Sequence, residues 1–170
     1  MMQEQIFSNE KELENAVVRA ATKLLQAKSF DVVTLQGFGL DIAIFAKRDG
    51  MNRTKFFEVK SFATHNGRCG MGDSRGGGNQ IRILFDDDLQ APRASDILEL
   101  FNPSIRWILG DSSAPIGTRR YVLFTSKQAQ AAAANGVKPG KQNNFRLSAF
   151  EDNWVAWPDL LVQMAEFLEQ

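Results

Sequence analysis

Soft metal ligands are almost missing from this chain of 170 residues, which has one cysteine, Cys69, and one histidine, His65. A single cysteine closes no internal disulfide and fits a reducing compartment, so a cytoplasmic protein is expected. One cysteine and one histidine do not make a Cys/His zinc site, so any metal has to be held by oxygens. No apolar run is long enough to cross a bilayer, and no membrane partner is expected. The start "MMQEQIFSNE" has neither the basic nor the apolar region of a signal peptide. The Gly-Lys-Ser/Thr of a phosphate-binding loop is absent, and "GFGLD" lacks the third glycine of a dinucleotide fingerprint; no organic cofactor is expected. Repeats and interior linkers are also absent. The length fits one domain, residues 1–170, with a real hydrophobic core.

An excess of charge is missing too, with 20 Lys and Arg against 20 Asp and Glu. The two signs are nevertheless segregated. Residues 47–82 carry eight Lys or Arg against Asp49, Glu58 and Asp73, a net of +5. Residues 112–150 carry six and no acid, whereas the last twenty residues carry five acids and no base. A surface polarised in this way steers a polyanion even when the total is zero. Solvated charges with no partner remain the plain alternative.

The hydrophobic pattern predicts a helix over 9–28, with Asn9 as N-cap and Glu12 three places on. Leu13, Val17, Ala20, Ala21, Leu24 and Leu25 share one face. Glu14 falls at the edge of that buried face; Glu10, Glu12 and Glu14 also suit the positive end of the helix dipole. Residues 31–36, 40–46 and 54–62 read as strands, with Asp49-Gly50 as a hairpin turn between the last two. The six glycines between 67 and 78 predict a mobile loop over 63–80. Residues 81–85, 104–110, 119–126 and 145–150 read as further strands, and 86–88 as a solvated turn. Residues 95–101, 127–135 and 158–170 read as helices, the last with Pro158 at its first position. This order predicts an α/β chain with a mixed central β-sheet flanked by helices. Trp107, Trp154 and Trp157 are expected as core or interface anchors.

The hairpin raises the chemical question. Phe56, Glu58, Lys60 and Phe62 share one face of their strand, and Phe57, Val59 and Ser61 the other. Both faces are apolar apart from the charged pair, so a carboxylate and an ammonium sit in a strand that looks buried on both sides. Such charges are costly unless paired or bound to a metal. A two-residue turn at Asp49-Gly50 pairs residues whose numbers sum to 99 and sets Asp41 opposite Glu58. A looser loop, with a sum of 101, sets Asp41 opposite Lys60. Either way the three share a face, with directly opposed Cβ atoms about 5 Å apart. A divalent cation removes the repulsion of two such carboxylates, and their oxygens suit Mg²⁺ or Mn²⁺. A water beside it can then be activated next to a phosphodiester, with Lys60 stabilising the developing charge. A Glu58–Lys60 salt bridge on a half-exposed strand is the alternative.

"LD" at 40–41 followed by "EVK" at 58–60, at the end of a hairpin, resembles the PD-(D/E)XK nuclease superfamily, although Leu40 stands where many members have a proline. The resemblance covers roughly residues 9–85. It implies a restriction-endonuclease-like fold and Mg²⁺-dependent hydrolysis of phosphodiester bonds, with Mn²⁺ as the substitute. Asp41 and Glu58 become metal ligands, joined by the main-chain carbonyl of Val59. Lys60 becomes the catalytic amine, and Glu14 matches the glutamate that several members supply from the preceding helix.

Arg68, Arg75 and Arg82 stand among small residues just after this hairpin, so the loop is expected to contact DNA phosphates, with Asn79 or Gln80 at a base edge or the scissile phosphate. A plain surface loop is the alternative. His65 can assist proton transfer, but a lone loop histidine is more simply a polar residue. Cys69 has no positioned base and reads as a spectator. The expected function is a Mg²⁺-dependent DNA endonuclease of restriction-like or repair type; cutting a duplex would require two active sites, so a homodimer is expected. A non-catalytic DNA- or protein-binding module on the same fold is the alternative from another class.

Overall fold

A computed structural model of the chain describes residues 2–36, 41–63, 67–72, 104–135 and 143–170. His65, Arg75, Asn79, Gln80 and Arg82 lie outside the described residues, as do the strand expected at 81–85, the turn at 86–88 and the helix at 95–101.

Helix α1 spans Glu10–Gln26, and the Asn9 side chain accepts from the Glu12 N–H as its cap. Strands β1 (Asp31–Gln36), β2 (Ile42–Arg48) and β3 (Met51–Phe62) follow. Asp49 and Gly50 both have positive φ, 49° and 80°. That is the demand of a two-residue turn whose twist matches its strands. The turn fixes the register from Arg48↔Met51 to Ile42↔Phe57, each pair summing to 99.

β1, β2 and β3 form an antiparallel meander. β5 (Ile105–Asp111) lies parallel to β3, and β6 (Tyr121–Phe124) antiparallel to β5. The mixed five-stranded sheet therefore has the order β1-β2-β3-β5-β6. Helix α2 (Ser126–Ala132) starts from a Thr125 capping box, and α3 (Trp157–Glu169) closes the described chain with Pro158 in its first turn. The chain is thus α/β, a mixed sheet flanked by helices. No helix among the described residues is long and apolar enough to cross a membrane.

The sheet has a core on each face. Leu13, Val17, Phe57, Val59, Ile108, Leu160 and Met164 pack between it and helices α1 and α3. Phe56, Phe62, Trp107, Phe124, Ala129 and Phe145 fill the opposite face under α2. β3 is the strand sandwiched between them, as its two-sided apolar pattern requires. Gly110 lets α1 settle onto the sheet: a Cβ there would stand 2.6 Å from the Leu13 Cδ2. Trp107 and Trp157 are buried in the two cores, so neither offers an interface surface among the described residues.

Two expectations are corrected. Residues 68–72 are not loop: Arg68–Gly72 forms β4, an antiparallel ribbon with β7 (Asn143–Arg146). Alternate burial of Cys69 and Met71 against Phe145 holds this glycine-rich segment extended. Within 145–150 only Phe145 and Arg146 are strand; Leu147–Phe150 is one turn of 3₁₀ helix that tucks Leu147 and Phe150 into the core.

Candidate active site

β2 and β3 part company at Ile42↔Phe57, but β3 continues to Phe62 with β5 still paired along its other edge. Asp41 stands at this parting, opposite Glu58. Its side chain replaces the missing strand partner: the Val59 N–H donates to Asp41 Oδ2 at 2.7 Å. The Asp41 N–H in turn donates to Glu58 Oε2 at 3.4 Å. The carbonyl of a strand residue leaves by the same edge as its N–H, so the Val59 carbonyl shares the edge that Asp41 covers.

Lys60 gathers the acids. Its ammonium lies 3.1 Å from Glu58 Oε1, 3.2 Å from Asp41 Oδ2 and 3.2 Å from Glu10 Oε1. Glu58 and Lys60 are 4% and 6% exposed, so they are not the surface salt bridge of a half-exposed strand. Glu10 and Glu14 come from the first turns of α1. Four residues apart on a helix, they stack one above the other. Carboxylate oxygens of Glu10, Glu14 and Asp41 lie within 4.8 Å of one another. The buried Glu14 also accepts from Lys11 at 2.8 Å and from Gln36 Nε2 at 3.5 Å. The seating of Leu13 over Gly110 holds this end of α1 against the sheet.

Burial pushes the Glu58 carboxyl up to about 7, with Lys60 pulling it back and Asp41 adding to the rise. Burial also raises Glu10, against the pull of Lys60. Burial opposes the charge on Lys60, but Glu58, Asp41 and Glu10 together outweigh it and hold the ammonium above the ordinary lysine value. With every group ionised, the four carboxylates of Glu10, Glu14, Asp41 and Glu58 exceed the ammonium groups of Lys60 and Lys11 by two negative charges.

These donors fit a hard divalent cation, which takes carboxylate and carbonyl oxygens. Two overlapping sets share Asp41. One is Asp41, Glu58 and the Val59 carbonyl; the other is Glu10, Glu14 and Asp41. The oxygens of the second set already lie within 4.8 Å of one another, whereas the Glu58 carboxylate is turned to Lys60 and the Asp41 N–H. Sequence reasoning passed over Glu10 as a helix-dipole residue. Its i,i+4 spacing to the inward-edged Glu14 was the signal that places both on one stripe.

The neighbours of the site are less reactive. Cys69 Sγ lies 3.4 Å from the Ser61 carbonyl, and burial, with a further rise from Glu10, pushes its thiol up to about 12, which leaves no thiolate nucleophile at neutral pH. Arg68 is exposed on β4 rather than in a loop. A groove of about 760 Å³ lies at the other end of the hairpin, between Phe30, Val33, Phe45 and Arg53. No family model matches the chain, and no curated protein matches it at a significant level.

Proposed function

We propose that this chain is a metal-dependent phosphodiesterase acting on DNA, built on a restriction-endonuclease-like version of the mixed α/β sheet. One observation carries the reading: a buried Lys60 ammonium within 3.2 Å of both the Asp41 and Glu58 carboxylates, at the point where β2 leaves β3. A fold rarely keeps four carboxylates in a partly buried site for stability alone, since desolvation offsets most of the attraction.

Asp41, Glu58 and the Val59 carbonyl would hold Mg²⁺ or Mn²⁺, with Glu14 and Glu10 closing the site from the helix. When bound, the cation supplies positive charge to a phosphoryl oxygen and acidifies a water. Asp41 is fixed for its part by the Val59 N–H, and Glu58 by the Asp41 N–H. Lys60 is held protonated by its neighbours and donates hydrogen bonds to charge that develops on the phosphate. Cutting both strands of a duplex calls for two such sites, hence a homodimer.

Supercoiled plasmid incubated with Mg²⁺ or Mn²⁺ tests this. Nicked or linear product is expected from the natural chain and is lost with EDTA. Lys60→Ala reduces it by about 10²- to 10⁴-fold while the circular dichroism of the fold persists. Salt-sensitive DNA binding without cleavage under any divalent cation would instead make the chain a binding module.

A further inference from the structure

The β4–β7 ribbon pairs two like charges. Arg68 lies directly opposite Arg146 in its register, and both side chains are exposed. Opposed side chains in an antiparallel pair have Cβ atoms about 5 Å apart, and like charges there are destabilising. Among the described residues no carboxylate pairs with either guanidinium; Arg146 reaches only the Ala131 carbonyl, at 3.5 Å. An arrangement that costs stability and has no internal anion suits an external one.

The rest of the ribbon fits that use. Its inner positions, Cys69, Met71 and Phe145, are buried in the core, which fixes the backbone. Its outer positions are Arg68, Gly70, Asn144 and Arg146, two cations with a glycine and an amide between them. Gly70 adds no side chain to obstruct a close approach, and Asn144 offers both donors and an acceptor. The ribbon is docked beside the strand that carries the acids: Cys69 Sγ meets the carbonyl of Ser61, the residue after Lys60, at 3.4 Å.

We infer that Arg68 and Arg146 jointly grip one stretch of nucleic-acid phosphate backbone along the outer face of this ribbon, with Asn144 beside them, next to the Asp41–Glu58–Lys60 site. The inference rests on the proposed phosphodiesterase activity for its choice of polyanion. It adds Arg146 and Asn144, from the far end of the sequence, to the contact expected of Arg68, Arg75 and Arg82. The arginines bind backbone and carry no base preference, so they set affinity and position rather than sequence.

Salt-dependent binding tests it. Binding of a labelled DNA duplex, followed by fluorescence anisotropy in Ca²⁺ between about 50 and 200 mM salt, gives the slope of log affinity against log salt; each lost phosphate contact lowers it by about 0.9. Arg68→Ala/Arg146→Ala is expected to weaken binding about 10-fold or more and to lower the slope by about 1 to 2. In Mg²⁺ it raises KM and leaves kcat within a few-fold. Arg68→Lys/Arg146→Lys keeps the slope, which a merely structural loss would not. If the natural chain binds and cleaves and the alanine pair keeps its slope, the ribbon inference is overturned and the phosphodiesterase reading stands. If the slope falls with the arginines but nothing is cleaved under any divalent cation, the ribbon stands and the phosphodiesterase reading is overturned. Absence of any nucleic-acid binding overturns both.

Discussion

β3 carries two buried lysines, and they live in opposite electrostatic worlds. Lys55, near the hairpin, is 9% exposed and lies 4.7 Å from the centre of the Phe167 ring on α3. Burial lowers its pKa, and the charges of Arg106 and Arg53 lower it further. Lys60, five residues on, is equally buried but is ringed by Glu58, Asp41 and Glu10, which raise it. At the hairpin end β2 and β3 pair in full, so Lys55 stands opposite Ile44 and sets its ammonium over an aromatic face. At the other end β2 has left, and acids occupy the edge it vacated. The same residue type on the same strand is packing material in one place and the centre of a charge cluster in the other. What separates the two is where the neighbouring strand ends.

Removing the two amines gives the sharpest test of that contrast. Lys60→Ala is expected to lower metal-dependent cleavage by about 10²- to 10⁴-fold, whereas Lys55→Met leaves it within a few-fold. Stability follows the same split. Without Lys60, the buried Glu58 and the half-buried Asp41 face each other with no cation, and breaking a buried pair in this way costs about 3–5 kcal/mol. Urea unfolding in EDTA at pH 8 measures it. Added Mn²⁺ is expected to recover part of the loss in Lys60→Ala. Equal losses at the two lysines would erase the distinction.

The carboxylates next to Lys60 give the second effect, through pH. Glu58 is raised from 4.5 to about 7, so the folded chain holds a proton that the unfolded chain has released. Its contribution is therefore most favourable below pH 4.5 and is lost as pH rises to about 7, by on the order of 3 kcal/mol at most. Glu10 is raised as well and acts in the same direction. Lys60 stays protonated in both states across this window and adds no slope. In EDTA the melting temperature is thus expected to fall between pH 5 and pH 7.5, and Glu58→Gln to flatten the fall. A wild-type curve as flat as that of Glu58→Gln would place the Glu58 carboxylate in a wetter setting than the buried one described. Nothing around Lys55 contributes such a slope, since the charges beside it are arginines.

Much of this site could be read from the sequence because one local feature dictates it. Asp49-Gly50 allows a two-residue turn, the turn fixes the register, and the register sets Asp41 against Glu58. Alternation then puts Lys60 with Glu58. Glu10 was hidden because an acid in the first turn of a helix is already explained by the dipole, and its contact with Lys60 spans fifty residues. The β4–β7 ribbon was hidden for a different reason. Glycine-rich residues 68–72 have little strand preference of their own, and the partner that makes them a strand is more than seventy residues away. The mixed sheet and its helices followed from hydrophobic periodicity, whereas the split of 145–150 into strand and 3₁₀ turn depends on tertiary burial.

Glu10 offers a third, smaller test, since it has no counterpart at Lys55. It is half-buried and reaches Lys60 at 3.2 Å. Glu10→Gln removes one of three carboxylates from the amine and one oxygen donor of charge from the helix side of the site. Groups that orient ligands from one step away typically account for about 10- to 100-fold in metal affinity or activity. The expected result is about a 10-fold rise in the Mn²⁺ concentration needed for half-maximal cleavage, with kcat at saturating metal much less changed. An unchanged metal dependence would reduce Glu10 to the dipole role that its position in the first turn also allows.

Lys55 itself should matter least. Its ammonium is paired with no carboxylate among the described residues, and its attraction to the Phe167 ring is worth about 1–2 kcal/mol in this buried setting. Against that stand its partial desolvation and the repulsion of Arg53 and Arg106. Arg106 also lies over Phe167, at 4.5 Å, and Arg53 donates to the Leu168 carbonyl at 3.0 Å, so the C-terminal end of α3 keeps two cations when Lys55 is gone. Methionine preserves the unbranched stem and makes its own contact with the ring. Lys55→Met is therefore expected to change unfolding free energy by less than about 1 kcal/mol, with a sign set by whether repulsion or the ring contact dominates. A loss as large as that at Lys60 would mean that the hairpin end of β3 also depends on its buried charge, and the contrast between the two ends would fail.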